Sequence, residues 1–163
     1  MSAPFLKFPG GKRNIIGSLR DYFPKNYHTY YEPFVGGGAV FFDIGPKKSV
    51  INDINKNIAN SYKNIKREPK KVLSLLKSLN NGYKSLDQSK REKFYYEQRD
   101  NFNKLISDKD YGSKNTALLL FLNRTCFNGV YRENSKGEFN VPHGKYSHPR
   151  DKDTIVRDDF VLG

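Results

Sequence analysis

The 163 residues make about one domain, and 36% hydrophobic against 28% charged residues allow a core drawn largely from 12 Phe and 11 Tyr. No apolar run of about 18 residues occurs, which excludes a helical membrane span, and Met1–Phe8 has no long apolar core behind basic residues, so no signal peptide is predicted. The net charge of +12 points equally to nucleic acid as a partner and to a solvated lysine-rich helical surface, and the lone Cys126 cannot close an internal disulfide, which fits a reducing cytoplasm.

Ile15, Ile16, Leu19, Tyr22 and Phe23 fall at helical spacing and predict a helix over 12–23, ended by Pro24. Tyr30–Phe34 reads as a short strand running into Gly36-Gly37-Gly38. Val40, Phe41 and Phe42 predict a helix over 38–44, stopped by Gly45-Pro46. Ser49–Asn52 is the next strand, which makes a βαβ unit with a parallel pair.

From Asn55 the pattern turns helical. Helices are predicted over 55–67, around Val72–Leu79 with Asn80-Asn81-Gly82 as its close, over 89–106, and over 113–125 with Ser113 as N-cap. Phe127–Tyr146 alternates and carries three glycines, which predicts a β-ribbon turning at Ser135-Lys136-Gly137 and near Gly144. Charge is uneven. Residues 1–53 carry +3, residues 54–114 carry +8 and residues 115–163 carry +1.

Three stretches bear chemistry. Glycines at the end of a first strand let backbone approach a ligand, and an acid ending the second strand can accept hydrogen bonds from ribose hydroxyls. Gly36–Gly38 precede Asp53 by fifteen to seventeen residues, near the dinucleotide-site spacing. The pattern is Gly-Gly-Gly-Ala rather than Gly-x-Gly-x-x-Gly, which favours a mononucleoside cofactor. A plain glycine turn beside a surface aspartate reads equally well. Lys12 opens a helix, a poor place for a cation unless it holds an anion or is simply solvated. Arg124, Phe127, Asn128, Tyr131 and Arg132 mix base-pairing and wedging side chains, with Arg132 able to take a guanine and Phe127 or Tyr131 able to intercalate. From residue types alone, a ribbon packed on neighbouring helices is the simpler reading.

Together, Lys7-Phe8-Pro9-Gly10-Gly11-Lys12, Glu32-Pro33-Phe34-Val35-Gly36-Gly37-Gly38, Asn52-Asp53-Ile54-Asn55, Asn123-Arg124-Thr125-Cys126-Phe127-Asn128-Gly129 and Gly137–Tyr146 resemble the Dam-type (D12 class) DNA adenine-N6 methyltransferases. The five blocks cover nearly the whole chain in the family's order. The resemblance implies S-adenosylmethionine as cofactor and duplex DNA, GATC in the best-known members, as substrate, with the adenine flipped out. It places Phe8, Lys12, Phe34, Gly36 and Asp53 at the cofactor, with Phe8 where the family usually has Trp. It places Arg124, Phe127, Asn128, Arg132, Pro142 and Tyr146 at the DNA. The implied fold is α/β, a partial Rossmann-like methyltransferase with an inserted helical and β-ribbon recognition region. Its expected division is a cofactor part over 1–54, a recognition region over 55–150 and the start of the catalytic part over 151–163.

The sequence departs from the family at one point. The family's catalytic Asp-Pro-Pro-Tyr lies beyond Gly163, and no two prolines are adjacent here. The expectation is therefore the N-terminal two-thirds of such an enzyme, with little or no turnover alone, no catalytic residue of its own, and a separate chain as one source of that part. The alternative from another class is a non-catalytic DNA-binding module, whose affinity would need no cofactor.

Overall fold

The structure, a computed structural model, describes residues 4–8 and 15–145. Lys12 and Tyr146 lie outside the described residues, as does residues 151–163.

The helix expected over 12–23 is described from Ile15 onward. It is one turn, α1 (Ile16–Leu19), tightening into a 3-10 turn at Arg20–Tyr22. Phe23 is already extended, as the residue before a proline must be to spare its Cδ a clash. Strand β1 (Tyr30–Glu32) follows, then α2 (Ala39–Ile44) and β2 (Ser49–Ile51). Gly38 and Gly45 bracket α2 in the left-handed region, and the Gly45 amide bonds the Phe41 carbonyl at 3.0 Å, as glycine-closed helices do. β1 and β2 pair in parallel, Tyr30 opposite Ser49 and Glu32 opposite Ile51.

Four helices form the bulk: α3 (Lys56–Arg67), α4 (Pro69–Lys84), α5 (Gln88–Ser107) and α6 (Ser113–Thr125). α6 is the hub. Ala117 to Leu122 are all buried, so the helix is apolar all round and must be enclosed; α3, α4 and α5 enclose it. Phe5 and Leu6 of the N-terminal segment join the same core.

Three expectations fail in detail. α4 does not close at Asn80-Asn81-Gly82 but runs on to Lys84. Asn80 and Tyr83 are buried there, Tyr83 sits edge-on to Phe121, and bare Gly82 leaves room for the Phe94 ring of α5. Packing overrides the turn signal. Ser113 is the first residue of α6 rather than its cap; Gly112 precedes the helix, and the Ser113 hydroxyl donates to Glu68 at the start of α4. The ribbon forms no strand ladder. It has two isolated antiparallel bridges, Cys126 with His143 and Glu133 with Phe139. Its turn does fall at Ser135-Lys136-Gly137, where the Gly137 amide bonds the Asn134 carbonyl at 3.0 Å with φ +77° at Gly137. Backbone bonds such as Asn140 to Arg132 cross it at intervals, and α5 side chains take the inner positions between them. Asn103 accepts from the Phe139 amide at 2.8 Å and donates to its carbonyl at 3.1 Å, and the Tyr95 hydroxyl donates to the Val141 carbonyl at 2.8 Å.

Candidate functional site

Backbone pairing between the two strands continues past their ends. The Asn52 amide bonds the Glu32 carbonyl and the Val35 amide bonds the Asn52 carbonyl, each at 2.9 Å. The chain after β1 then has to turn away sharply, and it does so on glycines. Gly36 and Gly38 have φ of +49° and +77°, a region costly for any residue with a Cβ. Gly37 needs its bareness for another reason: a Cβ there would meet the Leu6 carbonyl oxygen at 2.9 Å.

Asp53 ties this loop to β2. Its Oδ2 accepts from the Gly36 amide at 2.8 Å, and its Oδ1 accepts from the Asn55 amide at 2.9 Å. Each oxygen keeps a lone-pair direction for a further donor. Tyr62 of α3 holds the loop from below, its hydroxyl donating to the Gly36 carbonyl at 3.1 Å. Burial, then the negative charges of Glu32 and Asp53, push the Tyr62 phenol well above its ordinary value, so it stays a donor. The result is a glycine cradle at the carboxyl ends of two parallel strands, where open α/β sheets bind ligands.

Aromatic rings border the cradle. Phe8 is 37% exposed, lies by Gly36, and stacks on Tyr131 at 5.8 Å with planes 16° apart. Phe34, at 73%, stands out into solvent on the loop itself. Phe8 is held in place through its neighbour. The Asn123 side chain of α6 accepts from the Lys7 amide at 2.8 Å and donates to the Lys7 carbonyl at 2.9 Å, as a neighbouring strand would. The expected cofactor residues Phe8, Gly36 and Asp53 thus come together, with Phe34 at the rim.

The ribbon residues sort into two sets. The inner set is packed: Tyr131, Phe139, Val141 and His143 are buried. His143 Nε2 lies 2.7 Å from the Tyr83 hydroxyl, and Cys126 bonds the Val130 carbonyl through Sγ at 3.3 Å. Burial pushes the Cys126 thiol up to about 12, which makes it inert as a nucleophile. Tyr131 therefore cannot intercalate as its sequence position suggested. Its hydroxyl donates to Glu133, and Asn57 donates to it at 3.2 Å. The outer set is exposed: Phe127, Asn128, Arg132 and Pro142. The Phe127 amide bonds the Pro142 carbonyl at 2.8 Å, which puts those two side by side, and Asn128 turns the chain there at φ +56°. Arg132 rests its Nε on Asn140 Oδ1 at 2.8 Å. Arg124 stands apart from them, half-buried, with Nη2 donating to the Phe5 carbonyl at 3.1 Å, so part of its guanidinium serves the N-terminal segment.

Asn55 and Asn123 fall inside the resemblance blocks without a role of their own, and no sequence signal marks Asn103, yet these asparagines hold the geometry. The family model of the D12 class N6 adenine-specific DNA methyltransferases matches residues 8–159. The chain belongs to this class. It is 46% identical over 156 residues to the Type II methyltransferase M.MjaIII of Methanocaldococcus jannaschii, covering 90% of this chain and 54% of that protein. It is 36% identical over 154 residues to the Type II methyltransferase M1.LlaDCHI of Lactococcus lactis subsp. cremoris, covering 93% and 52%. It is 32% identical over 145 residues to the DNA adenine methylase of Escherichia coli K12, covering 89% and 49%. The chain thus spans about half the length of these relatives, less than the two-thirds expected from its motifs. The helix-rich structure with a small parallel sheet is compatible with an α/β methyltransferase fold. Among the described residues, no helix is long and apolar enough to cross a membrane.

Proposed function

We propose that this chain is the cofactor-binding and target-recognition portion of an adenine-N6 DNA methyltransferase acting on a GATC-like site in duplex DNA. The observation that carries the reading is the Gly36 amide bonded to Asp53 Oδ2 at the ends of β1 and β2, beneath the partly exposed Phe8 ring. The residues fit S-adenosylmethionine, because Asp53 has lone pairs left for ribose hydroxyls and Phe8 and Phe34 offer apolar faces for an adenine. Lys12 is assigned to the cofactor carboxylate from its motif. The cofactor supplies an electrophilic methyl group on sulfur; the chain's part is to hold it and to bring DNA to it.

Phe127, Asn128, Arg132 and Pro142, with Arg124 and Tyr146, form the DNA-facing set in this reading. α5 holds the neighbouring Phe139 and Val141 backbone and the Phe127 amide bonds the Pro142 carbonyl, which supports a described surface that meets the duplex pre-shaped. The basic 54–114 segment draws in the phosphate backbone. The architecture proposed is a Rossmann-like cofactor part over 1–54 interrupted by a recognition region over 55–150, with residues 151–163 leading into the catalytic part. A two-stranded sheet is too small to stand alone. Tyr31 and Val50, paired across it, are 69% and 53% exposed on one face, which supports further structure packing there, from more of the same protein or a second chain. A cytoplasmic protein with a companion restriction enzyme fits the same reading.

Methyl transfer to a weakly nucleophilic exocyclic nitrogen needs a group to polarise it, and the family's Asp-Pro-Pro-Tyr has no counterpart in these 163 residues. Turnover by the chain alone is expected to be negligible. The test is transfer of radiolabelled methyl from S-adenosylmethionine to duplex DNA, with and without an added family C-terminal segment, and with Asp53→Ala as control. Transfer restored by the segment and lost in D53A supports the proposal. No transfer in any mixture, with DNA binding indifferent to cofactor, favours a non-catalytic DNA-binding module.

A further inference from the structure

A chain of side-chain contacts joins the glycine cradle to the ribbon. Asn55 is its pivot. Its amide bonds Asp53 at 2.9 Å, its Oδ1 caps α3 by accepting from the Asn57 amide at 2.9 Å, and its Nδ2 donates to Glu133 Oε1 at 2.8 Å. Glu133 also accepts from the Tyr131 hydroxyl, and the Tyr131 ring carries Phe8 on its face. The two ribbon residues thus reach the cradle from both sides, Glu133 through Asn55 to Asp53 and Tyr131 through Phe8. Glu133 is also half of the bridge with Phe139 and the neighbour of Arg132, so it sits directly beside one of the exposed residues of the outer set.

A helix cap, a loop acid and a ribbon side chain cannot move independently when one asparagine serves all three. A ribbon displaced at Glu133 must release Asn55 or drag it along, and dragging it disturbs the acceptor of the Gly36 amide.

We propose that Tyr131 and Glu133 are positioning residues that, through Asn55 and Phe8, couple the two halves of the site, so that cofactor at the glycine loop and duplex DNA on the outer ribbon strengthen each other's binding. The inference rests on the proposed function for the identity of the two ligands. The coupling must be reciprocal, the same factor measured from either side.

The experiment uses the full chain with S-adenosylhomocysteine, which cannot transfer a methyl group, and a fluorescein-labelled duplex containing GATC. Each probe is titrated alone and against saturating amounts of the other, for wild type, Tyr131→Phe and Glu133→Gln. In wild type each probe is expected to tighten the other about fivefold or more. Both variants loosen the Tyr131–Glu133–Asn55 link and leave the Phe8 stack in place, so the factor falls clearly below its wild-type value, while duplex affinity in the absence of the other probe is unchanged, a separation that a loss of stability would not produce. Tyr131→Phe, which removes the hydroxyl's bond to Glu133 without opening a cavity, decides the matter if Glu133→Gln folds poorly. Wild type binding both probes without coupling, or variants keeping the wild-type factor, overturns the inference alone. Failure of wild type to bind one or both probes overturns the proposed function with it, and shows before any variant is made.

Discussion

Gly36 and Asp53 are joined across seventeen residues of sequence by one hydrogen bond, amide to Oδ2 at 2.8 Å, and the same carboxylate takes the Asn55 amide on its other oxygen. Asp53→Asn should break this arrangement while keeping its size. A carboxamide has one acceptor oxygen, so one of the two amides loses its partner. Hydrogen bonds to charged groups contribute about 1.5–3 kcal/mol, so affinity for S-adenosylmethionine is expected to fall about 10- to 100-fold. Isothermal titration of the variant checks this; an unchanged affinity would remove Asp53 from the cofactor site.

Gly38 can be tested against Tyr62. An alanine Cβ at position 38 would lie 2.4 Å from the Tyr62 hydroxyl oxygen and 2.8 Å from the Phe42 ring, on backbone at φ +77°. The left-handed backbone alone costs about 1–2 kcal/mol, and forced packing about 1–3 more. Gly38→Ala is expected to lower unfolding free energy by the sum. In a Tyr62→Phe background the loss should shrink, because the closest clash is gone, and a urea-denaturation cycle measures the difference. Equal losses in both backgrounds would mean the loop does not rest on Tyr62.

His143 makes ribbon packing depend on pH. Burial pushes its pKa below the ordinary 6.5; Glu92 opposes this, while Lys145 and Arg91 add to it. The Tyr83 hydroxyl faces Nε2, and the Tyr95 ring lies at 5.2 Å. A histidine with a depressed folded value is protonated first in the unfolded chain. Its contribution is therefore present above 6.5 and lost as pH falls towards the folded value. Urea midpoints at about pH 7.5 and about pH 5.5 should differ, with the lower one at acid pH, and His143→Gln should narrow the gap. A gap of unchanged size in the variant would assign the acid sensitivity to other groups.

How much of this was legible in the sequence depends on whether a signal is local. The helices over 56–67, 88–107 and 113–125 follow the 3.6-residue period because each buries one face or all of it, and burial writes itself into spacing. The alternation over Phe127–Tyr146 likewise signalled a ribbon, and the structure buries its Phe139, Val141 and His143. What the period could not show is that α5 side chains, rather than a continuous ladder, would take the Phe139 amide and carbonyl and the Val141 carbonyl. The end of α4 was misread for the same reason: Asn80-Asn81-Gly82 is a turn signal in isolation, and only Tyr83 packing against Phe121 and His143 explains why the helix ignores it. In the site, Gly36 and Asp53 were legible because a loop and an acid at successive strand ends carry their geometry with them. Asn55 and Glu133 were not, since nothing in an asparagine names a partner 78 residues away.

Phe127 and Tyr131 are four residues apart in the same aromatic segment, and the structure gives them opposite work. Tyr131 is 6% exposed, wedged against Phe8 and Phe139, with its hydroxyl in the Asn57 and Glu133 network. Phe127 is 54% exposed beside Pro142, at the α6 end of the ribbon. Tyr131→Ala should therefore cost about 3–5 kcal/mol of stability by opening a cavity, whereas Phe127→Ala should stay within about 0.5 kcal/mol. Binding should rank them the other way once stability is accounted for. Loss of an exposed ring that stacks on a base is expected to weaken duplex affinity by roughly 1–3 kcal/mol. Its salt dependence should not change, because no phosphate contact goes with it. Arg132→Ala, by contrast, should weaken binding to the target duplex more than to an unrelated one if it reads a base, and equally to both, with a shallower salt slope, if it holds a phosphate. Denaturation of each variant alongside duplex titration at several salt concentrations separates these effects; a Phe127→Ala chain that binds DNA as wild type does would take Phe127 out of the interface.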